Sequence, residues 1–156
     1  MRFRKLKKQS KIKQEQNEKH NERVHYATIP DRIKAFITDM FMIYVPILYI
    51  ITYGVMGGKE EFQASDMAPF IGVILYGIIY SLFLYKSGQT PGKKAYTIKV
   101  VDAKTFQNLS LSQAILRFIC FLLSATTLFG LFLPFYRKDK RSLHDLMVNT
   151  AVISYD

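Results

Sequence analysis

Residues 35–56 read AFITDMFMIYVPILYIITYGVM, 22 residues in which Asp39 is the one charged side chain. A helix needs about 20 apolar residues to cross the hydrocarbon core of a bilayer, so the stretch is long enough to span. A charge at mid-bilayer costs roughly 2.5 to 3.5 kcal/mol or more, and intramembrane acids therefore face a basic partner or a wet cavity instead of lipid. The chain reads as an integral membrane protein whose polar interior carries the functional question.

Two more apolar blocks lie further along. Residues 67–85, MAPFIGVILYGIIYSLFLY, carry no charge and form the cleanest spanning segment. Residues 111–136 carry Arg117 near their start and Ser124, Ala125, Thr126 and Thr127 in the middle. The connectors set the orientation. Of the net charge of +10, the first 34 residues hold 11 Lys and Arg against 4 acids, residues 57–66 hold one Lys against three acids, and residues 86–110 hold five Lys against one Asp. Lys and Arg favour the cytoplasmic flank, so the N terminus and the connector after the second block are expected in the cytosol, with residues 57–66 outside.

A single crossing by the third block would put the basic run RKDKR, residues 137–141, outside, against that bias. The alternative is a bent or re-entrant helical segment turning around residues 124–127. Each arm would then hold about 12 residues, roughly 18 Å of helix, too short to cross. Two β-prone runs agree with this. Residues 96–101, YTIKVV, alternate apolar and polar, and residues 150–154, TAVIS, are rich in strand formers. If they pair, both lie on one side of the membrane, and the third block goes in and comes back.

The expected fold is an all-α membrane protein, with spanning helices at about 31–56 and 67–86, a bent or re-entrant segment at 111–136, and a small cytoplasmic β pair. Residues 1–28 form a basic tail with too few apolar residues to bury, expected to be disordered or a loose surface helix. Such an arm suits anionic headgroups better than nucleic acid, given its continuity with a spanning helix. Pro30 and Asp31 mark a helix start, and Pro46 predicts a kink near the middle of the first span. No cleaved signal peptide is expected, since the first apolar run starts near residue 35 and is too long for an h-region. Cys120, the single cysteine, reads as a packed small hydrophobe.

Four residues are candidates for a binding or transport role: Arg32, Asp39, Arg117 and Asp145. Arg32 and Asp39 are seven apart, on nearly the same helix face but roughly 10 Å apart along the axis, too far for a direct ion pair. Arg32 is therefore expected to extend toward the headgroups. Arg117 is the expected partner of Asp39, since both sit roughly 6 to 9 Å below the starts of their blocks. Such a pair either ties two membrane segments together or sets the titration of an acid on a proton or cation path. Asp145 is expected to cap or anchor a turn, with His144 at the surface. Thr90-Pro91-Gly92 reads as a tight turn, and residues 86–94 fail the spacing of a phosphate loop. No cofactor is implied. A metal site has little support because His20 and His25 lie in the tail, and without a nucleophile motif an enzyme is the least supported class.

Together these pieces resemble the RDD family of bacterial membrane proteins. The resemblance rests on PDRIKAFITD with Arg32 and Asp39, GQTPGKKAYTIKVVD at residues 88–102, LRF around Arg117, and KRSLHDLMVNTAV with Asp145, and it covers roughly residues 29–155. It implies a multi-pass protein of the bacterial inner membrane. The family's molecular role is largely unassigned, and transport has been suggested, including sodium/proton exchange for some members. A cation/proton exchanger using Asp39 and a non-catalytic scaffold or assembly factor holding a partner protein are the two functions expected. Two full crossings enclose no path alone, so exchange implies a homo-oligomer or a partner membrane protein.

Overall fold

A computed structural model of the chain describes residues 2–22, 25–138 and 140–155. Helix α1, Arg2–Glu22, is built from Lys, Gln, Glu and Asn, and its side chains over residues 3–15 are all exposed. The surface-helix form of the tail is the one adopted. The two-residue strand β1, His25–Tyr26, follows, and Thr28 then caps helix α2, Ile29–Asp39, accepting the Asp31 backbone N–H at 3.3 Å. Pro30 and Asp31 occupy its first turn, where a missing N–H costs nothing and an acid meets the positive end of the helix.

Beyond Asp39 the helix loosens twice. The segments Met40–Tyr44 and Ile51–Val55 are wide π-turns on either side of α3, Val45–Ile50. Val45 N–H bonds to Met40 C=O and Met56 N–H to Ile51 C=O, five residues back instead of four. Pro46, the second residue of α3, follows the first of these turns after Val45 and has no N–H to give, so the disturbance expected at Pro46 takes the form of a shift in hydrogen-bond register. Helix α4, Lys59–Ala64, lies in the acidic connector, and α5, Ala68–Ser87, ends at Gly88 in the left-handed conformation. The continuous helical run Ile29–Val55, 27 residues, and α5, 20 residues, are long and apolar enough to cross a membrane.

The short helix α6, Pro91–Ala95, leads into β2, Ile98–Asp102. Ser110 and Gln113 form a reciprocal capping box that opens α7, Leu111–Thr127. Leu128, at φ 57°, breaks the helix before α8, Phe129–Tyr136, and α9, Leu143–Val148, then leads into β3, Thr150–Ser154. The break falls one residue past the bend expected at 124–127. Gly130 packs so closely on Ser124 that a Cβ there would lie 2.8 Å from the serine Cβ, which folds α8 back against α7.

The two expected strands pair antiparallel, with Val100 opposite Val152, so the polypeptide leaves the sheet through α7 and α8 and returns to it. The sheet has three strands among the described residues, in order β1-β3-β2, because His25 and Tyr26 add an edge from the segment assigned to the tail. Two buried clusters hold the fold. In one, Ala35 and Leu84 of the helices pack with the strand residues Ile98, Val100 and Val152, and in the other Ile43, Ile47, Ile51, Tyr76 and Phe118 meet between the helices. Cys120 is buried, as expected. On the outer faces Phe41, Ile50, Phe70 and Ile74 are between 60 % and 69 % exposed, an apolar surface of the kind that meets lipid or another protein.

Candidate functional site

The charged side chains of the apolar blocks turn inward into two adjoining ion clusters. In the first, Asp39 is fully buried at the end of α2. Its Oδ2 accepts the Thr90 hydroxyl at 2.5 Å and lies 3.7 Å from Lys93 Nζ, while its Oδ1 accepts the Gly92 N–H at 2.8 Å. Thr90 also caps α6, so the expected tight turn is the first turn of a helix laid over the carboxylate. Gly92 is required there by space: a Cβ would sit 2.2 Å from the Ala35 carbonyl oxygen. Lys93 Nζ lies 4.8 Å from the centre of the Tyr80 ring, a second favourable contact for a cation that is only 9 % exposed.

In the second cluster, Arg117 Nη1 donates to Asp145 Oδ1 and to the Thr150 hydroxyl. Arg32 Nη1 reaches Asp145 Oδ2 at 3.4 Å, and its Nη2 donates to the Val152 carbonyl at 3.4 Å. Asp145 is fully buried and is also the third residue of the α9 capping box, accepting the Ser142 N–H at 3.1 Å and hydroxyl at 2.9 Å. Burial pushes its carboxyl up, but the guanidiniums of Arg117 and Arg32 outweigh that and hold it below the usual carboxylate range. Arg141 closes the cluster from below, donating to the Thr150 carbonyl at 3.0 Å and the Asp145 carbonyl at 3.3 Å.

Three expectations are corrected by this geometry. Arg117 pairs with Asp145, and Asp39 pairs with Lys93, so the expected Asp39–Arg117 pair is not made. Depth counting compared only residues inside apolar blocks, whereas α6 folds up from a polar connector and brings its lysine with it. Arg32 does not extend outward: its side chain is 15 % exposed and turned onto Asp145, a stronger partner than water because the acid is buried. His144 is not a free surface residue, since its ring meets Phe121 edge-on at 5.5 Å. Burial, together with the positive charge of Arg117, pushes its imidazole down to about 3, so the ring is neutral at ordinary pH. Asp145 does anchor a turn, as expected, and carries the ion cluster as well.

Arg32, Arg117 and Asp145 are thus brought together, with Asp39 alongside through Lys93. Between them lies a cavity of about 390 Å³. Arg32, Lys93, Arg117 and Asp145 line it together with Tyr76 and Tyr80, and Phe36, Phe121, Phe132 and Phe135 complete the wall. The Tyr76 hydroxyl and Arg117 Nε are buried with no hydrogen-bond partner among the described residues. Buried polar groups are nearly always bonded, so two orphans on one cavity mark a place for water or a ligand. Among the described residues no three His, Cys, Asp or Glu side chains converge, so no ligand set for a metal arises there.

Lys93, Thr90, Gly92, Ser142 and Thr150 escaped the sequence reading as site residues. The run GQTPGKK holds three of them, but in sequence it reads only as a tight turn.

Comparison with known proteins gives a consistent picture. The chain is 35% identical over 107 residues to an uncharacterised protein of Rickettsia prowazekii, an alignment covering 61% of this chain and 60% of that one. It is 31% identical over 127 residues to the uncharacterised protein YckC of Bacillus subtilis, covering 78% and 80%, and 28% identical over 141 residues to YxaI of the same organism, covering 78% and 93%. The match therefore spans about three fifths of the rickettsial protein and most of the two from Bacillus. No solved structure matches. The RDD family model matches residues 26–149, the stretch from β1 to the end of α9 that holds the charged residues of both ion clusters, and the chain belongs to the RDD family.

Proposed function

We propose that the chain is a multi-pass protein of the bacterial inner membrane, N terminus in the cytosol, that holds an anion in its charged cavity as part of a transport process. One observation carries this reading. The cavity is lined by three cations, Arg32, Lys93 and Arg117, against one acid, Asp145. Asp39 stands behind Lys93, and beside these cations Arg117 Nε and the Tyr76 hydroxyl are buried without a hydrogen-bond partner among the described residues. An anion entering beside Arg117 Nε meets cationic side chains and satisfies an orphan donor. Cation or proton exchange through Asp39 is less well supported, because both its oxygens are already bonded and a lysine stands against it. Two membrane-length helices enclose no pathway alone, so passage across the bilayer needs a second copy or a partner membrane protein.

Thermal unfolding of the full chain in a neutral detergent tests the anion. At constant ionic strength, replacing chloride by phosphate at about 100 times its dissociation constant raises Tm by roughly 5 °C or more. The Arg32→Gln variant shows less than half that rise. An unchanged Tm, or an equal rise in the variant, contradicts the reading.

The exposed basic helix α1 favours a second reading, the scaffold. Arg4, Lys5, Lys7, Lys8, Lys11 and Lys13 all face outward there, and basic residues near an anionic leaflet contribute about 1 kcal/mol each. Deleting residues 2–22 separates the two. Loss of cellular function with phosphate binding retained favours the scaffold, and retained function favours the cavity.

A further inference from the structure

We infer that the anion is the headgroup of a single-chain amphiphile drawn from the membrane, a proposal that rests on the anion reading above and names its ligand class. The cavity lining holds two chemically distinct sets of side chains. One presents Arg32, Lys93 and Arg117, with the unpartnered Arg117 Nε and Tyr76 hydroxyl as free donors. That set matches a phosphate or carboxylate, whose oxygens accept several hydrogen bonds at once.

The other set is apolar: Phe121 of α7 and Phe132, Pro134 and Phe135 of α8, with the Phe132 and Phe135 rings 6.2 Å apart. A small hydrophilic anion has no use for such a wall. Phe132 is 58 % exposed and Phe135 60 % exposed, so the apolar side runs from the cavity to the outer surface of the protein instead of ending blind. Ile33 and Phe36 of the first membrane-length run line the same cavity and are themselves exposed, on the kind of apolar face a lipid chain would lie against.

Size limits the occupant. A cavity of about 390 Å³ is at the small end of ligand pockets, which run from about 300 to 1,000 Å³. It takes a headgroup and the first part of one chain, with the remainder lying along Phe132 and Phe135. Two chains rooted in the same headgroup would have to leave by the same opening, which favours one.

The test titrates the full chain in dodecyl maltoside with three probes, read as shifts in Tm: inorganic phosphate, dodecyl phosphate and dodecyltrimethylammonium. Each buried methylene strengthens binding about fourfold, so three in the cavity make dodecyl phosphate about 60-fold tighter than inorganic phosphate. The cationic amphiphile gives no shift. The double variant Phe132→Gln, Phe135→Gln, whose side chains are more than half exposed and not needed for the core, lowers dodecyl phosphate affinity by tenfold or more. Equal affinity for inorganic and dodecyl phosphate overturns the amphiphile while leaving the anion site standing. Absence of any shift with either phosphate, or an equal shift with the cationic amphiphile, overturns both.

Discussion

Asp39 Oδ1 accepts the backbone N–H of Gly92 at 2.8 Å, across 53 residues of sequence. This bond joins Asp39, within the first membrane-length helical run, to the connector that follows the second. It holds because the chain at Gly92 comes within the reach of a side chain only when it carries none of its own. The carboxylate and the α6 backbone form a lock, and the position of Lys93 at the cavity depends on it.

Replacing Gly92 by Ala therefore destabilises the fold. The new Cβ meets the Ala35 carbonyl and the Asp39 carboxylate, neither of which is the free end of a flexible chain. Overpacking of this kind costs about 1 to 3 kcal/mol, and at roughly 2 to 4 °C per kcal/mol the midpoint of thermal unfolding in detergent falls by several degrees. An Ala variant as stable as the parent would show that the approach is looser than described.

Removing one partner of the Asp39–Lys93 pair costs more than removing both. Asp39→Asn leaves a buried ammonium without its counter-charge, a loss of about 3 to 5 kcal/mol for pairs of this type. The double variant Asp39→Asn, Lys93→Met recovers a large part of that, measured as a coupling energy in a double-mutant cycle. Additive losses would mean that the two side chains do not interact.

The α9 cap and the ion cluster share Asp145, and their contributions are separable. Ser142→Ala removes the N-cap and lowers stability by about 1 kcal/mol. Asp145→Asn leaves one acceptor oxygen to serve both the cap and Arg117, removes the charge that balances the buried Arg117, and costs about 3 kcal/mol or more. Chemical unfolding of the two variants side by side checks the order, and equal losses would argue against the Arg117 pairing.

Stability falls on acidification below about pH 6.5. His144 is held neutral in the folded protein down to about 3, whereas in the unfolded chain it takes a proton near 6.5. Over that window the unfolded state binds more protons, so its share of stability is present above 6.5 and is lost as pH drops toward 3. Asp145, depressed below its ordinary value by Arg117 and Arg32 despite its burial, adds a further loss below about pH 4 in the same direction. His144→Phe keeps a ring against Phe121 and flattens the profile of Tm between pH 7 and 5. An equally steep profile in the variant would place the titration elsewhere.

Much of the architecture was legible because it is written in runs. The uncharged blocks announced the two long helices. The alternation in YTIKVV announced β2, and the basic tail RKDKR announced the fold-back that brings β3 to it. The edge strand β1 was not legible, since two residues show no periodicity. At the site, Arg32, Arg117, Asp39 and Asp145 stood out by being charged in or beside apolar sequence, but their partners did not. Lys93 sits in a hydrophilic connector and is buried only by tertiary packing of α6 on α2. Arg117 and Asp145 are 28 residues apart, and no local spacing rule joins them. Charge in an unusual place identified the members of the clusters, and only the three-dimensional fold assigned the pairs.

Arg32, Lys93 and Arg117 are proposed to surround a place for an anion. Crystals of the full chain soaked in selenate test it directly, since selenium scatters anomalously and reports position without reference to function. An anomalous peak is expected inside the cavity, within hydrogen-bonding distance of Arg117 Nε and the Tyr76 hydroxyl. A cavity with no peak, or one that takes up rubidium instead, would contradict it.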